Sequence, residues 1–384
     1  MIEDFKSIGP FSDEKVEDVV QDLLKDNEFH NALARINYPL TSKIFPFLTR
    51  NFMARKFRFY FDGTKTVKDF QASLAPLVRS MINKTTSGFT ITGEKNLEDL
   101  PTLFIGNHRD IALDPLFLNY SLFIRNYDTV RIAIGDNLLD NSYAEKIMRL
   151  NKSFVVHRNI SGVKKTYKIL KRLSAYIYRS ITEDKESVWI AQREGRASDG
   201  NDFTEEAVLK MLHMNNRKEH SLDEWVSKVN LTPVVISYEF DPLDTTKAVG
   251  WKGWKNLPNK KNNKRVLEEL VQGIVSQKGR VHLHICKSLK GFSGGIGDLA
   301  KVIDGEIIAN FKIWPISHGA AYELSKQNSK YEIFDKSLIT NEVLSLLKTR
   351  FGNLDSAVRD EVFRIYAAPL VNKEEARISS SFLV

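Results

Sequence analysis

One histidine follows a short apolar run in the first third of the chain, with carboxylates close behind it. The segment is FIGNHRDIALDP, residues 104–115, in which Asn107 and His108 leave the apolar run. An imidazole beside a carboxylate can remove a proton from a hydroxyl, because the carboxylate fixes the ring tautomer and stabilises the imidazolium. We therefore predict general-base chemistry on a hydroxyl, with Asp114 as the N-cap of a helix that begins at Pro115.

Two further segments bring arginines to the ends of apolar runs. SFVVHR (153–158) ends at Arg158, and WIAQREGRASDG (189–200) continues from its apolar run into a polar turn. The turn contains Arg193, Glu194, Gly195 and Arg196. A guanidinium donates paired hydrogen bonds to phosphate oxygens, and α/β proteins bind ligands where strands end. The two segments therefore predict a phosphate site at one edge of a sheet.

The elements that must position these residues alternate between two periodicities. Seven short apolar runs, separated by stretches of helical spacing, follow one another along the chain: 88–92, 102–106, 130–135, 153–157, 187–191, 231–240 and 280–286. This alternation predicts a layered α/β domain whose strands are covered on both faces. We predict two parts, an N-terminal helical subdomain over residues 1–84 and the α/β domain, with a helical C-terminal tail, over residues 85–384.

Within the helical part, residues 35–61 combine rings with positive charge. The segment carries six basic side chains, eight aromatic ones and no acidic one. Aromatic rings and cations suit the headgroup region of an anionic membrane, although the same pattern fits a helix corner with buried rings and solvated cations. Pro39 and Pro46 divide the segment, so no single long amphipathic helix is expected.

Composition limits the classes of protein that need considering. The 384 residues have a net charge of +8, which favours an anionic partner such as acidic lipid, phosphorylated substrate or nucleic acid. The single cysteine, Cys286, forbids an internal disulfide. No apolar stretch reaches the ~20 residues of a spanning helix, and the acidic start does not resemble a signal peptide. We therefore expect a cytoplasmic protein that uses no disulfide.

Two other patterns are weaker. His282, His284 and Cys286 alternate in one run and could share a face, but a fourth zinc ligand at a suitable spacing is missing, so we expect no metal. The basic cluster at 252–265 lies close to two tryptophans and could stack on nucleic acid. A membrane or an acidic carrier protein accounts for the same residues, and we expect no nucleic acid.

Together the segments resemble the four consensus blocks of the glycerolipid acyltransferases, the family of glycerol-3-phosphate and 1-acyl-glycerol-3-phosphate acyltransferases. The counterparts here are NHRDIALD, SFVVHR, EGRAS and PVVISYE, in the order of the family and within about residues 88–242. The resemblance implies a mixed sheet flanked by helices. It also implies an O-acyltransferase of phospholipid biosynthesis that moves a fatty acyl group from a thioester to a hydroxyl.

The same resemblance implies a role for each matched residue. His108, supported by Asp114, would deprotonate the acceptor hydroxyl, and Arg158 and Arg196 would hold its phosphate. Glu194 and Gly195 would shape the phosphate pocket.

Two departures from the family pattern leave alternatives open. Five residues separate His108 from Asp114 where the family has four, so either the loop bulges or Asp110 supports the histidine. The residue between Gly and Arg of the third block is missing, so Arg193 could replace Arg196.

The implied donor is acyl-CoA or acyl carrier protein, with no further cofactor, and the implied acceptor is 1-acyl-glycerol 3-phosphate or glycerol 3-phosphate. We expect the protein to lie peripherally on the cytoplasmic face of an anionic membrane. Two rival readings remain, an acyltransferase for another head group, of the ornithine-lipid type, and a non-catalytic lipid- or nucleic-acid-binding protein. The intact His108 with two candidate carboxylates argues against the second rival.

Overall fold

A computed structural model describes residues 5–136, 141–157, 161–250 and 259–381, with the backbone alone for 259–264 and 379–381. All seven apolar runs form strands: β1 Gly88–Thr92, β2 Leu103–Gly106, β3 Arg131–Gly135, β4 Ser153–Val156, β5 Val188–Ala191, β6 Thr232–Tyr238 and β7 Arg280–Ile285. They form one sheet in the order β1-β7-β6-β2-β5-β3-β4. The predicted α/β class, a mixed sheet flanked by helices, is confirmed.

The sheet consists of two parallel blocks that run in opposite directions. β6, β2, β5, β3 and β4 are parallel neighbours, and β1 is parallel to β7. The only antiparallel pairing among the described strands joins β6 to β7. The carboxyl ends of the five-strand block therefore lie at one edge of the sheet.

Helices cover the sheet, and further helices precede its first strand and follow its last strand along the chain. Those before β4 are α1 Asp13–Lys25, α2 Asn27–Asn37, α3 Thr41–Ile44, α4 Pro46–Phe61, α5 Val67–Thr85, α6 Leu113–Phe123 and α7 Ser142–Leu150. Those after β4 are α8 Val163–Thr182, α9 Glu206–His213, α10 Leu222–Lys228, α11 Asp244–Gly250, α12 Asn259–Val275, α13 Ile296–Asn310, α14 Pro315–Ser325, α15 Asn341–Phe351 and α16 Ser356–Ser381.

Most of the sheet is buried on both faces because its strands alternate their side chains between two cores. The edge strand β1 is the exception, since every second residue in it is exposed. In β2, Leu103 and Ile105 pack into a core with α8, α9, α10 and α13. Phe104 points the other way, into a core with α5 and α6. This two-sided burial accounts for the uninterrupted apolar character of β6, whose seven residues are all buried.

Two smaller cores lie outside the sheet. The helices at the N-terminal end bury the apolar stripe of α1 against α4 and α5. The helices α14, α15 and α16 bury a separate cluster at the C-terminal end. Side chains of α7 complete the first cluster, and Phe240 and Ala248 pack against the second.

The prolines of segment 35–61 act as predicted. The helix α2 ends at Asn37, and α4 begins at Pro46, where a missing N–H breaks no helical hydrogen bond. Among the residues that the structure describes, no helix has both the length and the apolar character to cross a bilayer.

Candidate active site

Three loops that carry candidate residues start from the same edge of the sheet. His108 follows β2, His157 follows β4, and the turn 193–196 follows β5. Because these strands are parallel, their ends bring the loops together around one cavity.

Asn107 fastens the start of the histidine loop to β6. Its side-chain amide donates to Ile236 O (3.0 Å) and its side-chain oxygen accepts from Ile236 N–H (2.8 Å). The amide therefore continues the β2–β6 ladder by one step after the backbone pairing has ended at Gly106. Gly106 is itself constrained, since a Cβ there would lie 2.8 Å from Trp189 Nε1.

His108 and Asp114 are in contact. Nδ1 of His108 lies 3.1 Å from Oδ2 of Asp114, and an ionised carboxylate can only accept, so Nδ1 carries the proton and Nε2 remains for a substrate. The same carboxylate oxygen accepts from the backbone N–H groups of Arg109 (2.7 Å) and Asp110 (2.9 Å). Oδ1 accepts from the hydroxyl of Tyr238 at 2.9 Å. Four donors thus hold one buried carboxylate.

The carboxylate of Asp110 lies against the start of α6 and not against the imidazole, where it would have to lie if Asp110 supported His108. Its Oδ1 accepts from the backbone N–H groups of Ala112 (3.0 Å) and Leu113 (2.9 Å), while its buried Oδ2 has no partner among the described residues. The helix α6 begins at Leu113, so the prediction of Asp114 as N-cap and Pro115 as first residue was wrong. The side chain of Asp110 caps the first turn, which leaves Asp114 free to face the histidine.

A second carboxylate, that of Asp202, fixes the backbone of the loop that follows β2. Asp202 Oδ2 accepts from the N–H of His108 at 2.7 Å, and Gln192 Nε2 donates to both Oδ1 (3.2 Å) and the carbonyl (2.6 Å) of Asp202. Burial raises the pKa of Asp202, against the opposing effect of Arg109 and these hydrogen bonds. The loop after β5 therefore clamps the loop after β2.

Arg109 faces away from the cavity into a buried ionic group. Its guanidinium donates to Gly200 O (3.1 Å) and lies 3.6 Å from Asp241 Oδ2. Lys247 Nζ donates to both Arg109 O (2.8 Å) and Asp241 Oδ2 (2.6 Å). The charges of Lys247 and Arg109 lower the pKa of Asp241 despite its burial. These contacts support the loop that carries His108 and Arg109.

The turn 193–196 brings two arginines to the cavity wall. Arg193 donates to Asn201 O at 3.0 Å, and Arg196 forms an ion pair with the buried carboxylate of Glu269, which Arg265 also contacts. Gly195 has φ of +76°, which the turn requires and a side chain would strain. Arg158, predicted as a phosphate ligand, lies outside the described residues.

The cavity has a volume of about 390 Å³ and is lined by both polar and apolar side chains. The polar lining comes from His108, His157, Glu205 and the turn 193–196. The apolar part is lined mainly by side chains from β3, β4, α8 and α9, namely Ile134, Val156, Leu170, Leu173, Val208 and Met211. The edge of Trp189 meets the imidazole of His108 with ring centroids 6.0 Å apart. Such a cavity suits a ligand with a long apolar part and a charged head.

The other titratable groups singled out in the sequence lie elsewhere. Both ring nitrogens of His282 contact threonine hydroxyls of β1, at 2.8 Å and 3.0 Å, and burial lowers its pKa to about 4. Burial also raises the pKa of the Cys286 thiol. A buried, protonated thiol is a poor nucleophile. Within the described part of the chain, no group of three or more His, Cys, Asp or Glu residues could hold a metal ion.

Sequence reasoning missed three residues that touch the site. Asp202 and Tyr238 are separated by 94 and 124 residues from the groups that they contact. Trp189 belongs to an apolar run and gave no separate signal. Only Tyr238 offered a hint, because a hydroxyl within an otherwise apolar buried strand needs a partner.

Residues 88–215 match the family model named Acyltransferase. In a search of solved structures, the chain resembles the crystal structure of the 1-acyl-sn-glycerophosphate (LPA) acyltransferase PlsC from Thermotoga maritima. The likeness has 14% identity and a TM-score of 0.37 over 73% of this chain and 94% of that one. No curated protein matches the chain. The matched segment covers about a third of the chain and holds the first three of the four sequence blocks, so over this segment the chain is similar to the acyltransferase family.

Proposed function

We propose that this protein is a glycerolipid acyltransferase that acylates a hydroxyl of 1-acyl-glycerol 3-phosphate or glycerol 3-phosphate. The observation that carries the proposal is the position of the His108–Asp114 pair. It lies in the wall of a cavity that is lined largely by apolar side chains and also contains arginines. A base, a cationic site and an apolar cavity are what this reaction needs.

The reaction follows from the free nitrogen of the imidazole. Nε2 of His108 takes the proton of the acceptor hydroxyl while the oxygen attacks the thioester carbonyl. The tetrahedral intermediate then collapses, the C–S bond breaks, and the imidazolium returns the proton to the leaving thiolate. Asp114 stabilises the imidazolium between these two steps, and general-base catalysis of this kind contributes about 10²–10⁴ in rate.

The acceptor phosphate would lie against the turn 193–196. Arg196 is held by Glu269, so its guanidinium is oriented before a ligand arrives, and Arg193 lies beside it in the cavity wall. Paired donors on a fixed guanidinium match phosphate oxygens. Orienting the phosphate places the hydroxyl near His108, which lowers the entropic part of the barrier.

The acyl chain would occupy the apolar part of the cavity, since it is the part of the substrates that prefers apolar walls. The donor would be acyl-CoA or acyl carrier protein, with no further cofactor. The acidity of either donor complements the net charge of +8.

We further propose that the protein lies on an anionic membrane surface at the cytoplasmic face. The support is an apolar patch on and around α3 and the start of α4, where large side chains are exposed to water. The apolar patch consists of Leu40, Ile44, Phe45, Phe47 and Leu48. Lys43 and Arg50 lie within it, and Arg50 lies over the ring of Phe47. Rings and cations in one patch suit a lipid headgroup layer.

Thioester release with purified protein tests the proposal. The panel contains acyl-CoA or acyl carrier protein as donor, and glycerol 3-phosphate, 1-acyl-glycerol 3-phosphate and an ornithine lipid precursor as acceptors. We expect release with a glycerol phosphate, and a fall of about 10²–10⁴ in His108→Ala. Release only with the ornithine acceptor would favour the first rival, and no release with any acceptor would favour a binding protein.

A second histidine at the same edge provides the control. Nδ1 of His157 lies 3.2 Å from Asp136 Oδ2, so His157 also pairs with a carboxylate beside the cavity. This pair is more open to water than the His108 pair. We expect a much smaller loss in His157→Ala than in His108→Ala, and the reverse order would assign the base to His157.

A further inference from the structure

The last residue of β6 contacts the catalytic pair from the side opposite the histidine. Tyr238 is buried, and its hydroxyl donates to Oδ1 of Asp114 at 2.9 Å. His108 contacts the other carboxylate oxygen, Oδ2. The carboxylate is therefore held at both oxygens, with the imidazole on one side and the phenol on the other.

The phenol is placed by rigid parts of the fold. Two residues before Tyr238, Ile236 exchanges two hydrogen bonds with Asn107, which immediately precedes the catalytic histidine. The backbone of Tyr238 pairs with Val281 of β7, and its ring meets the ring of Phe117 edge to face at 6.0 Å. The strand thus sets the distance between the hydroxyl and Asp114.

A carboxylate that accepts at only one oxygen can rotate and leaves a buried acceptor without a donor. A phenol that donates to the second oxygen prevents the rotation and supplies the missing donor. We infer that Tyr238 is a positioning residue of the catalytic pair, which orients Asp114 and disperses its charge so that the proton on His108 can be returned. This inference rests on the proposed function and adds a third member to its site.

The surroundings keep the phenol in the donor role. Burial, followed by the negative charges of Asp114 and Asp110, raises the pKa of Tyr238 well above its ordinary value. The hydroxyl is therefore protonated throughout the range in which the enzyme would work. The ionisable groups around the pair, from the loops and helices packed on it, are Arg109, Asp110, Arg196, Asp202, Asp241, Lys247 and Lys278.

The test compares Tyr238→Phe with wild type across a pH series of thioester release. The substitution keeps the ring and removes the hydrogen bond. Without the phenol, more charge stays on Asp114, so the pair holds a proton more tightly. We expect the acid limb of the kcat/KM profile to move to higher pH by about 0.5–1 unit, with kcat lower by about 3- to 30-fold. KM for the acceptor should change little, because Tyr238 does not line the cavity.

A matched control separates positioning from a loss of stability. Tyr331 is a buried tyrosine in the C-terminal helical cluster, so Tyr331→Phe also removes a phenol oxygen but far from the pair. We expect its pH profile to coincide with that of wild type. If Tyr238→Phe lowers the rate without moving the acid limb, the role is structural only and the inference fails.

A measurement without substrate keeps the inference independent of the proposed function. The imidazole signal of His108 can be assigned, among eight histidines, by its loss in His108→Ala. We expect it to titrate at higher pH in Tyr238→Phe than in wild type, whether or not any acceptor is acylated. An unchanged or lower midpoint overturns the inference, whereas absent thioester release in wild type overturns only the proposed function.

Discussion

Two aspartates follow His108, and their environments differ at the level of single atoms. Asp114 accepts four hydrogen bonds, one of them from the imidazole. Asp110 accepts two from the first turn of α6 and leaves one oxygen without a partner among the described residues. The two carboxylates therefore have different roles: Asp110 caps α6, and Asp114 binds the histidine. This difference favours Asp114 in the proposed mechanism.

Asparagine substitutions separate the two aspartates. Asp114→Asn replaces an acceptor that serves the imidazole, so we expect thioester release to fall by about 10²–10⁴. Asp110→Asn keeps a good capping side chain, so activity should stay within about threefold of wild type. Rates of release, measured at saturating donor and acceptor, check both expectations. A larger loss in Asp110→Asn would assign the supporting role to Asp110.

The pH dependence of stability gives Asp110→Asn a second signature. Burial, and next the charge of Asp114, raise the pKa of Asp110 in the folded protein. A raised pKa means that the stabilising contribution of this carboxyl is present at low pH and is lost as the pH rises through the folded value. Asparagine does not ionise. The unfolding free energy of the variant, relative to that of wild type, should therefore increase from acidic to neutral pH. Urea unfolding at several pH values measures the difference in unfolding free energy between the variant and wild type. A difference that does not change with pH would contradict the prediction.

At the scale of elements, the strands were predictable and their directions were not. Apolar runs rich in β-branched residues mark strands, and all seven were found. Nothing in RVHLHIC indicates that β7 runs antiparallel to β6, because direction depends on the connection and not on the side chains. The start of α6 was misplaced for a local reason, since both Asp110 and Asp114 are good capping residues and sequence alone did not choose between them.

A glycine marks where α16 meets the site. Gly200 has φ of +84°, and a Cβ there would lie 2.5 Å from Ile365 O and 2.7 Å from Ala368 Cβ. Its carbonyl also accepts from Arg109, next to His108. A side chain at this position must displace either the helix or the loop.

We therefore expect Gly200→Ala to lower the unfolding free energy by about 2–4 kcal/mol and to reduce thioester release. Gly63→Ala is the matched control, since Gly63 has φ of +80° but no atom within 4 Å of its Cβ position. It should lose only about 1 kcal/mol, the cost of the backbone conformation. Thermal and urea unfolding compare the two, and equal losses would show that the contact with α16 contributes nothing.

At the scale of the whole molecule, the site depends on contacts that sequence order hides. The five-strand block brings His108 and the turn 193–196 to one edge, and the α/β pattern was enough to anticipate this. Asp202 and Tyr238 reach the site from 94 and 124 residues away, and no periodicity signals such a pairing. The resemblance to a family supplied roles for matched residues only, so residues that support the pair from other elements stayed unassigned.

The apolar patch can be recognised only in the folded molecule, because it is defined by which side chains remain exposed. Apolar side chains on α4 are either buried against α1 and α5, as in the case of Phe61, or exposed to water. Those of the apolar patch are more than half exposed. Exposed apolar surface of this kind costs free energy in water, and a contiguous patch indicates a surface that something covers. The cations around it make an anionic bilayer the proposed cover.

Cosedimentation with vesicles tests that surface. We expect the protein to bind vesicles of phosphatidylcholine mixed with phosphatidylglycerol more tightly than phosphatidylcholine alone, because lysines and arginines meet lipid phosphate. The double variant Phe47→Ser, Leu48→Ser removes two side chains that are 62% and 65% exposed, so it should weaken binding by at least about tenfold and leave the fold intact. Leu100→Ser, at a side chain that is 53% exposed in the loop before β2, is the control and should bind like wild type. If all three proteins bind vesicles equally, Phe47 and Leu48 do not enter the lipid, and the membrane contact lies elsewhere.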